Sequence, residues 1–291
     1  MTVRTRITVV VITRDRRENL LHTLDRLAAL PERPPVIVVD NGSSDGTAEA
    51  VRRHHPDHLL LTPGRNLGTL GRNLGVRRAR TPYVAFSDDD SWWEPGSLAA
   101  AEGLLDAYPR LGLLAARIRV GTEGGTDPLD AALARSPLEP VADLPGQPVL
   151  GFLACGAVAR RDAFLDAGGY HPVLFFGGEE TLLAYDLSAR GWGVCHVPGV
   201  VAVHCPTKEV RPGRPAVMLR NAALTAWLRR PVPVALRHTA ALVTAPRRDP
   251  EARTELGRML RRLPAALRAR ESLPAGVESA ARQLDLQGAM P

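Results

Sequence analysis

The chain has 291 residues, 45% of them hydrophobic and only 4% aromatic, and a formal net charge of +6. That length allows one or two domains around a sizeable core, built here mainly from Ala, Val and Leu. Lys208 is the sole lysine, so the excess charge is arginine, and no aromatic-interleaved basic module accompanies it. This argues against a nucleic-acid partner and leaves solvated arginine faces, phosphate-bearing ligands or an anionic membrane surface.

Cys155, Cys195 and Cys205 form no CxxC pair, which fits reduced thiols and a cytoplasmic location. The first apolar run, Ile7 to Ile12, is too short for a signal core or a membrane span, and nothing later reaches spanning length. That run is β-branched and reads as a buried strand. Leu20, Leu24, Leu27 and Leu30 then follow helical spacing until Pro31, Pro34 and Pro35. Val36 to Val39 reads as a second strand, ending in the polar loop Asp40 to Gly46, where Ser44 or Asp45 is placed to cap a helix from Thr47 to His54. Leu59 to Leu61 gives a third strand, Gly68 to Arg80 a helix, Tyr83 to Phe86 a fourth strand and Ser97 to Tyr108 another helix.

Gly121 to Pro148, rich in Gly, Pro and Asp, reads as a long loop, either a lid or plain surface irregularity. Glu179 to Arg190 reads as a helix stopped by Gly191, and Val200 to Val203 as a late strand ending at His204. Helical patterns fill the remainder: Ala216 to Leu228, Val234 to Val243, Glu251 to Leu267 and Val277 to Leu284. Alternating strands and helices predict an α/β fold with a mostly parallel sheet. In such sheets ligands bind at the carboxyl ends of the strands. The polar clusters Thr13-Arg14, Asp40, Asn66 and Asp88 to Asp90 all fall there.

The triplet Asp88-Asp89-Asp90 is the most demanding of these. Two carboxylates ~4 Å apart repel by ~4 kcal/mol at an effective dielectric of 20. A divalent cation answers that repulsion, since Mg2+ commonly takes one or two carboxylates plus substrate phosphates and water. An exposed acidic turn capping the helix near Ser97 explains the triplet equally well. The segment Asn66 to Gly75 spaces glycines around Arg72 but matches neither GxGxxG nor GxxxxGK[ST], so no dinucleotide fold or P-loop is indicated.

Taken in order, Thr13-Arg14, Val38-Val39-Asp40-Asn41-Gly42-Ser43-Ser44-Asp45-Gly46-Thr47, Asn66-Leu67-Gly68, Arg72-Asn73 and Phe86-Ser87-Asp88-Asp89-Asp90 closely resemble glycosyltransferase family 2, of the GT-A fold and bacterial type. The resemblance spans roughly residues 7 to 230. It implies an α/β/α sandwich over 1–214 with a helical extension over 215–291 packed on it. It further implies an inverting transfer from a UDP- or dTDP-linked sugar, with Mg2+ or Mn2+, to a saccharide, lipid-linked or small-molecule acceptor.

Carried over position by position, the resemblance assigns Thr13, Arg14, Asp40, Asn66, Arg72, Asp88 and Asp89 to the donor, and Asp90 with His204 to the metal. Gly156 and Trp92 would stand on the acceptor side. Phe176-Gly177-Gly178-Glu179-Glu180-Thr181-Leu182-Leu183 resembles the family's acidic segment, usually Glu-Asp followed by x-Asp-Leu. Glu180 stands where an aspartate base is expected and Leu182 replaces the later aspartate, so Glu179 and Glu180 are both candidates for the base. A helix N-terminus that favours acidic residues is the plainer account of the pair. Arg220 is placed to reach the diphosphate, and Trp227 to pack.

The arginine-rich C-terminal helices leave open a peripheral contact with the inner membrane face, against simple packing on the catalytic domain. Two other functions remain in view: a sugar-nucleotide nucleotidyltransferase, although Thr13-Arg14-Asp15-Arg16-Arg17 lacks the glycines such enzymes use, and a non-catalytic nucleotide-sugar-binding protein of the same fold.

Overall fold

The structure is a computed structural model that describes residues 5–121, 124–206, 213–245 and 251–286. Its centre is one sheet, ordered β3-β2-β1-β4-β9-β6-β10-β5. β1 (Ile7–Thr13), β2 (Val36–Asp40), β3 (Leu59–Leu61) and β4 (Tyr83–Asp88) run parallel, joined by α1 (Arg17–Ala28), α2 (Thr47–His54) and α3 (Leu70–Arg78). Beyond β4 the sheet becomes mixed. β5 (Ser91–Trp93) is the far edge, antiparallel to β10 (Gly193–His204), and α4 (Ser97–Ala107) leads into β6 (Leu111–Val120), which is parallel to β10. β9 (Ala157–Arg160) runs antiparallel between β4 and β6.

The β-branched strands are buried on both faces, as parallel strands under helices must be. Side chains alternate across a strand, so Ile7, Val9 and Val11 join one core with Leu20, Leu24, Leu27, Leu98 and Leu105. Val10 joins the other with Val76, Phe164, Leu183 and Leu187. The Leu20, Leu24 and Leu27 stripe is fully buried. Each such leucine contributes roughly 1.5–3 kcal/mol, more than intrinsic helix propensity offers, so packing holds α1 in place. At the start of α2 it is Asp45, not Ser44, that receives the Thr47 N–H, at 3.1 Å.

The stretch that reads as a lid is largely built structure. It holds β7 (Gly125–Thr126), α5 (Pro128–Ala134) and β8 (Gln147–Pro148), with residues 122–123 outside the described set. The Asp127 side chain accepts the Leu129 N–H at 2.8 Å and Pro128 occupies the first turn, so the helix starts on an ordinary capping signal. Asp130 then ties α5 to the sheet, accepting the Ile118 N–H at 3.3 Å and meeting His196 Nε2 at 2.9 Å.

After β9, α6 (Arg161–Asp166) and α7 (Glu179–Ala189) cover the second face. α8 (Arg214–Arg229), α9 (Val232–Thr244) and α10 (Glu251–Arg268) bury Leu224, Leu228, Leu242 and Met259 together with Val173, Leu174 and Leu182. Arg229 pairs with Asp186 of α7, and Arg230 with Glu278 of α11 (Ala275–Leu286), at 2.6 Å. Trp227 packs as expected and donates Nε1–H to Thr239 Oγ1 at 3.0 Å. Among the described residues no helix is long and apolar enough to cross a membrane.

Candidate active site

Parallel registry brings the first site residues together. Thr13 ends β1 opposite Asp40 at the end of β2, and Ile12 lies opposite Asp88 at the end of β4. Asp40 is buried and its Oδ1 accepts the Ser43 N–H at 2.9 Å, closing the turn in which Gly42 adopts φ 78°. A Cβ on Gly42 would stand 3.3 Å from the Arg65 backbone, so that position also permits two loops to touch. Asn41 joins the same loops, accepting the Leu67 N–H at 3.3 Å and donating to Gly68 O at 3.1 Å. Asn66 accepts the Gly68 N–H at 2.8 Å, a local turn that launches α3.

The three aspartates have separate partners. Asp88 is bonded by Arg72 Nη2, and its amide donates to Ser91 Oγ at 2.7 Å. Asp89 accepts from Thr13 Oγ1 at 2.9 Å, and its carbonyl accepts from Thr23 Oγ1 at 2.9 Å. Asp90 Oδ1 lies 3.4 Å from His204 Nε2. Arg16 bridges the last two carboxylates, 3.2 Å from Asp89 Oδ1 and 3.0 Å from Asp90 Oδ2. Arg16 belongs to no motif in the sequence. Only the turn into α1 carries it to the rim, whereas Arg14 stays exposed and pairs with neighbouring Asp15 at 3.4 Å.

These contacts set unequal proton affinities. Burial foremost pushes Asp89 up to about 7, with Asp90 and Asp88 adding to it and Arg16 opposing. Burial also works against the charged form of Asp90, but the hydrogen bond and charge of His204, with Arg16, hold its carboxyl below the ordinary range. Burial likewise disfavours the imidazolium of His204, yet the bond to Asp90 raises its proton affinity overall.

Arg72 links this rim to the second acidic group. Almost fully buried, it binds Asp88 with one nitrogen and places Nη1 4.0 Å from Glu179 Oε1, with its guanidinium 5.5 Å from the centre of the Tyr170 ring. Burial opposes its charge, and Asp88 with the nearby acidic groups more than compensates. Glu179 is buried, while Glu180 keeps partial access to solvent. Desolvation, then the charge of Glu179, pushes Glu180 up to about 8. Glu179 is also raised, by burial first, with Arg72 and the backbone N–H groups of Glu179 and Gly177 opposing.

Not every expected residue reaches this constellation. Trp92 packs its ring into the core beneath α1, 4% exposed, with Arg26 5.3 Å above it and His22 at its edge, so it is a core side chain and not a surface for an acceptor. Gly156 is buried in a 3-10 turn, where a Cβ would fall 2.1 Å from Ile118 Cδ1, which makes packing its first requirement. Arg220 is buried and bonded to Glu255 and Asn221, which corrects its expected reach to a diphosphate. Cys155 is buried and its thiol is pushed well up by desolvation, which suits packing.

A parallel βα half that brings a turn-bound aspartate, a buried arginine and an acidic strand end to one rim, with an acid pair across it, is the arrangement of a GT-A glycosyltransferase. The chain belongs to glycosyl transferase family 2, whose sequence profile matches residues 8–167, and it is therefore a glycosyltransferase. A curated relative from Mycobacterium tuberculosis, N-acetylglucosaminyl-diphospho-decaprenol L-rhamnosyltransferase, is 28% identical over 235 residues, covering 67% of this chain and 75% of its own. Among solved structures, the mannosyltransferase PcManGT from Pyrobaculum calidifontis, in complex with GDP-Man and Mn2+, aligns at TM-score 0.57 and 22% identity, covering 100% of this chain and 77% of that one. S. aureus TarS 1-349 in complex with UDP-GlcNAc aligns at TM-score 0.56 and 16% identity, covering 88% and 72%.

Proposed function

We propose that this chain transfers a sugar, with inversion, from a UDP- or dTDP-linked donor to a lipid-linked saccharide hydroxyl, with a divalent cation bound at Asp90 and His204. The observation that carries this reading is Arg72, whose single buried guanidinium bonds the donor-side carboxylate Asp88 and lies 4.0 Å from Glu179, the neighbour of Glu180. In this reading residues 1–214 are the catalytic unit and residues 215–291 a helical brace.

The residues at the rim fit a cation. Asp90 offers a carboxylate held ionised, and His204 Nδ1 is buried without a hydrogen-bond partner, so the imidazole can turn to present a nitrogen once it is neutral. Among the described residues no three His, Cys, Asp or Glu side chains form a metal cage. The remaining ligands of a bound Mg2+ or Mn2+ would therefore come from diphosphate and water. When bound, the ion neutralises charge developing on the leaving nucleoside diphosphate.

The chain's own groups do the rest. Asp40, beside Thr13, is placed to accept the imide hydrogen of a uracil or thymine, and Arg16 and Arg72 keep the rim from repelling an anionic donor. Asn66, Asp88 and Asp89 flank the same rim, and exposed Arg14 would exchange its pairing with Asp15 for the diphosphate. Glu180, ionised, takes the proton of the acceptor hydroxyl. That oxygen bonds to the anomeric carbon as the bond to the diphosphate breaks, which inverts the centre. Glu179 keeps Glu180 basic through its charge.

A lipid-linked acceptor is supported by the curated relative's own acceptor and by the outer faces of α9 and α10. There Leu236, Val243, Leu260 and Leu267 are exposed beside Arg237, Arg253, Arg261 and Arg268. A thermal-shift screen of dTDP-rhamnose, UDP-GlcNAc and GDP-mannose, each with and without Mn2+ or Mg2+, tests the donor reading. Metal-dependent stabilisation by the dTDP or UDP sugars is expected. Pyrophosphate release from a nucleoside triphosphate and a sugar phosphate, with no nucleotide-sugar turnover, would replace transfer with nucleotidyl transfer. Donor binding without turnover on any acceptor would leave a non-catalytic binding protein.

A further inference from the structure

The segment leading into α7 turns through two consecutive left-handed glycines, Gly177 at φ 92° and Gly178 at φ 78°. Such a turn takes its carbonyls out of any helix or sheet ladder, and buried carbonyls need donors. One side chain serves the Phe176 and Gly177 carbonyls. Asn221 of α8, fully buried, donates Nδ2–H to Phe176 O at 2.8 Å and to Gly177 O. Its Oδ1 accepts from Arg220 Nε at 2.8 Å, and Arg220 Nη1 donates to Glu255 of α10, which Arg258 also bonds. On the opposite side the segment is tied to α3. Thr69 N donates to Phe175 O at 3.1 Å, and Asn73 exchanges hydrogen bonds with the Tyr170 backbone at 2.8 and 2.9 Å.

We propose that Asn221 is a positioning residue for sugar transfer. It fixes the Gly177–Gly178 turn, so that Glu179 and Glu180 leave the first turn of α7 directed at the acceptor, and Arg220 and Glu255 of the C-terminal helices hold it in that orientation. The inference rests on the reading of Glu180 as the base. Two features give it weight. Both donors of one amide are spent on the Phe176 and Gly177 carbonyls of the turn before the acid pair, and the amide's acceptor is held by Arg220 of the same helix, itself paired with Glu255 of α10. A side chain kept only to fill space would need neither. The family profile ends at residue 167, before this device begins.

The decisive variant is Asn221→Asp in the full chain. It keeps the size and the acceptor for Arg220 but removes the Nδ2 donor. The assay is release of nucleoside diphosphate from dTDP-rhamnose and UDP-GlcNAc with Mn2+, read beside hydrogen exchange over residues 176–182. A displacement of about 1 Å at a reacting group costs about 10²-fold. We therefore expect kcat to fall about 10- to 100-fold with donor KM within about twofold, and exchange at the start of α7 to rise about tenfold or more. In the Asn221→Asp/Glu180→Gln double variant no loss beyond that of Glu180→Gln is expected, because a positioning residue acts through the group it positions.

Thr239→Val, which removes the hydrogen bond from Trp227 that joins α8 to α9, should keep both kcat and exchange at α7. Glu255→Gln is the milder variant if Asn221→Asp does not fold, and should give a few-fold loss in kcat alone. If Glu180→Gln is slow while Asn221→Asp retains wild-type kcat and exchange, the positioning role is wrong and the base assignment survives. If Glu180→Gln itself is as active as wild type, the base assignment has failed. Losses that multiply in the double variant would likewise overturn the positioning role.

Discussion

Glu180→Gln separates catalysis from folding more cleanly than any other change at this site. Glu180 is pushed up to about 8 by desolvation and by Glu179. With that value about one tenth of the free enzyme carries an ionised Glu180 at pH 7 and about nine tenths at pH 9, so kcat/KM should rise about tenfold across that interval. Glutamine keeps the shape and removes the proton acceptor. A positioned general base contributes ~10²–10⁴-fold, so kcat at pH 9 should fall by that factor and the rise between pH 7 and 9 should disappear. Stability should move the other way. A carboxyl whose proton affinity is raised by folding favours the folded state while protonated, and that advantage is lost as pH climbs from the ordinary carboxylate range through about 8. The variant should therefore gain in Tm relative to wild type at pH 9 and differ little at pH 5. The assay is nucleoside diphosphate release over pH 6 to 9.5, with calorimetry on the same samples. A folded variant that keeps activity within about threefold of wild type at pH 9 would refute the reasoning.

Other outcomes follow from the same geometry. Asp90→Asn should abolish the extra stabilisation that Mn2+ adds to donor binding and slow turnover by at least about 10²-fold; an unchanged metal response would remove Asp90 from the cation site. Arg72→Met leaves the buried Glu179 and its partner Asp88 without their shared cation and should cost ~3–5 kcal/mol in urea unfolding at pH 8, less at pH 5 where Glu179, its carboxyl raised by burial, is more readily neutral; equal loss at both pH values would contradict the electrostatic account. Gly156→Ala should destabilise by about 1–3 kcal/mol, and Ile118→Val in the same chain should restore part of that by removing the Cδ1 that the new methyl meets; strictly additive losses would argue against this contact. Vesicles containing phosphatidylglycerol should sediment with the wild-type chain at low salt, and Leu260→Glu with Leu267→Glu should release it; equal binding to neutral vesicles would contradict a role for the arginines.

The chain order of α1, α2, α3 and the first four strands is legible because each carries a strong local signal: the β-branched runs, the leucine stripe and the helix stop at Pro31. The second half is harder to read. Leu111–Val120 is a ten-residue strand in which Leu, Ala and Arg, residues that local propensity assigns to helices, outnumber the β-branched Ile118 and Val120, and its place between β9 and β10 makes it a strand. Asp127-Pro128 was a readable helix start within a stretch that otherwise looks like loop.

By itself the sequence determined the chemistry available at the rim: Asp40, Asp88, Asp89 and Asp90 at strand ends, and an acid pair opening a helix, because strand ends and helix starts are local features of the chain. The tertiary structure alone decided who meets whom. It brought Arg16 across two carboxylates, sent Trp92 into the core, turned Arg220 inward to Glu255, and set Arg72 between Asp88 and Glu179, residues 91 positions apart in the chain. Pairings of that kind depend on how helices settle on a sheet, and burial of their apolar faces, not the sequence distance between the charged groups, fixes that settling.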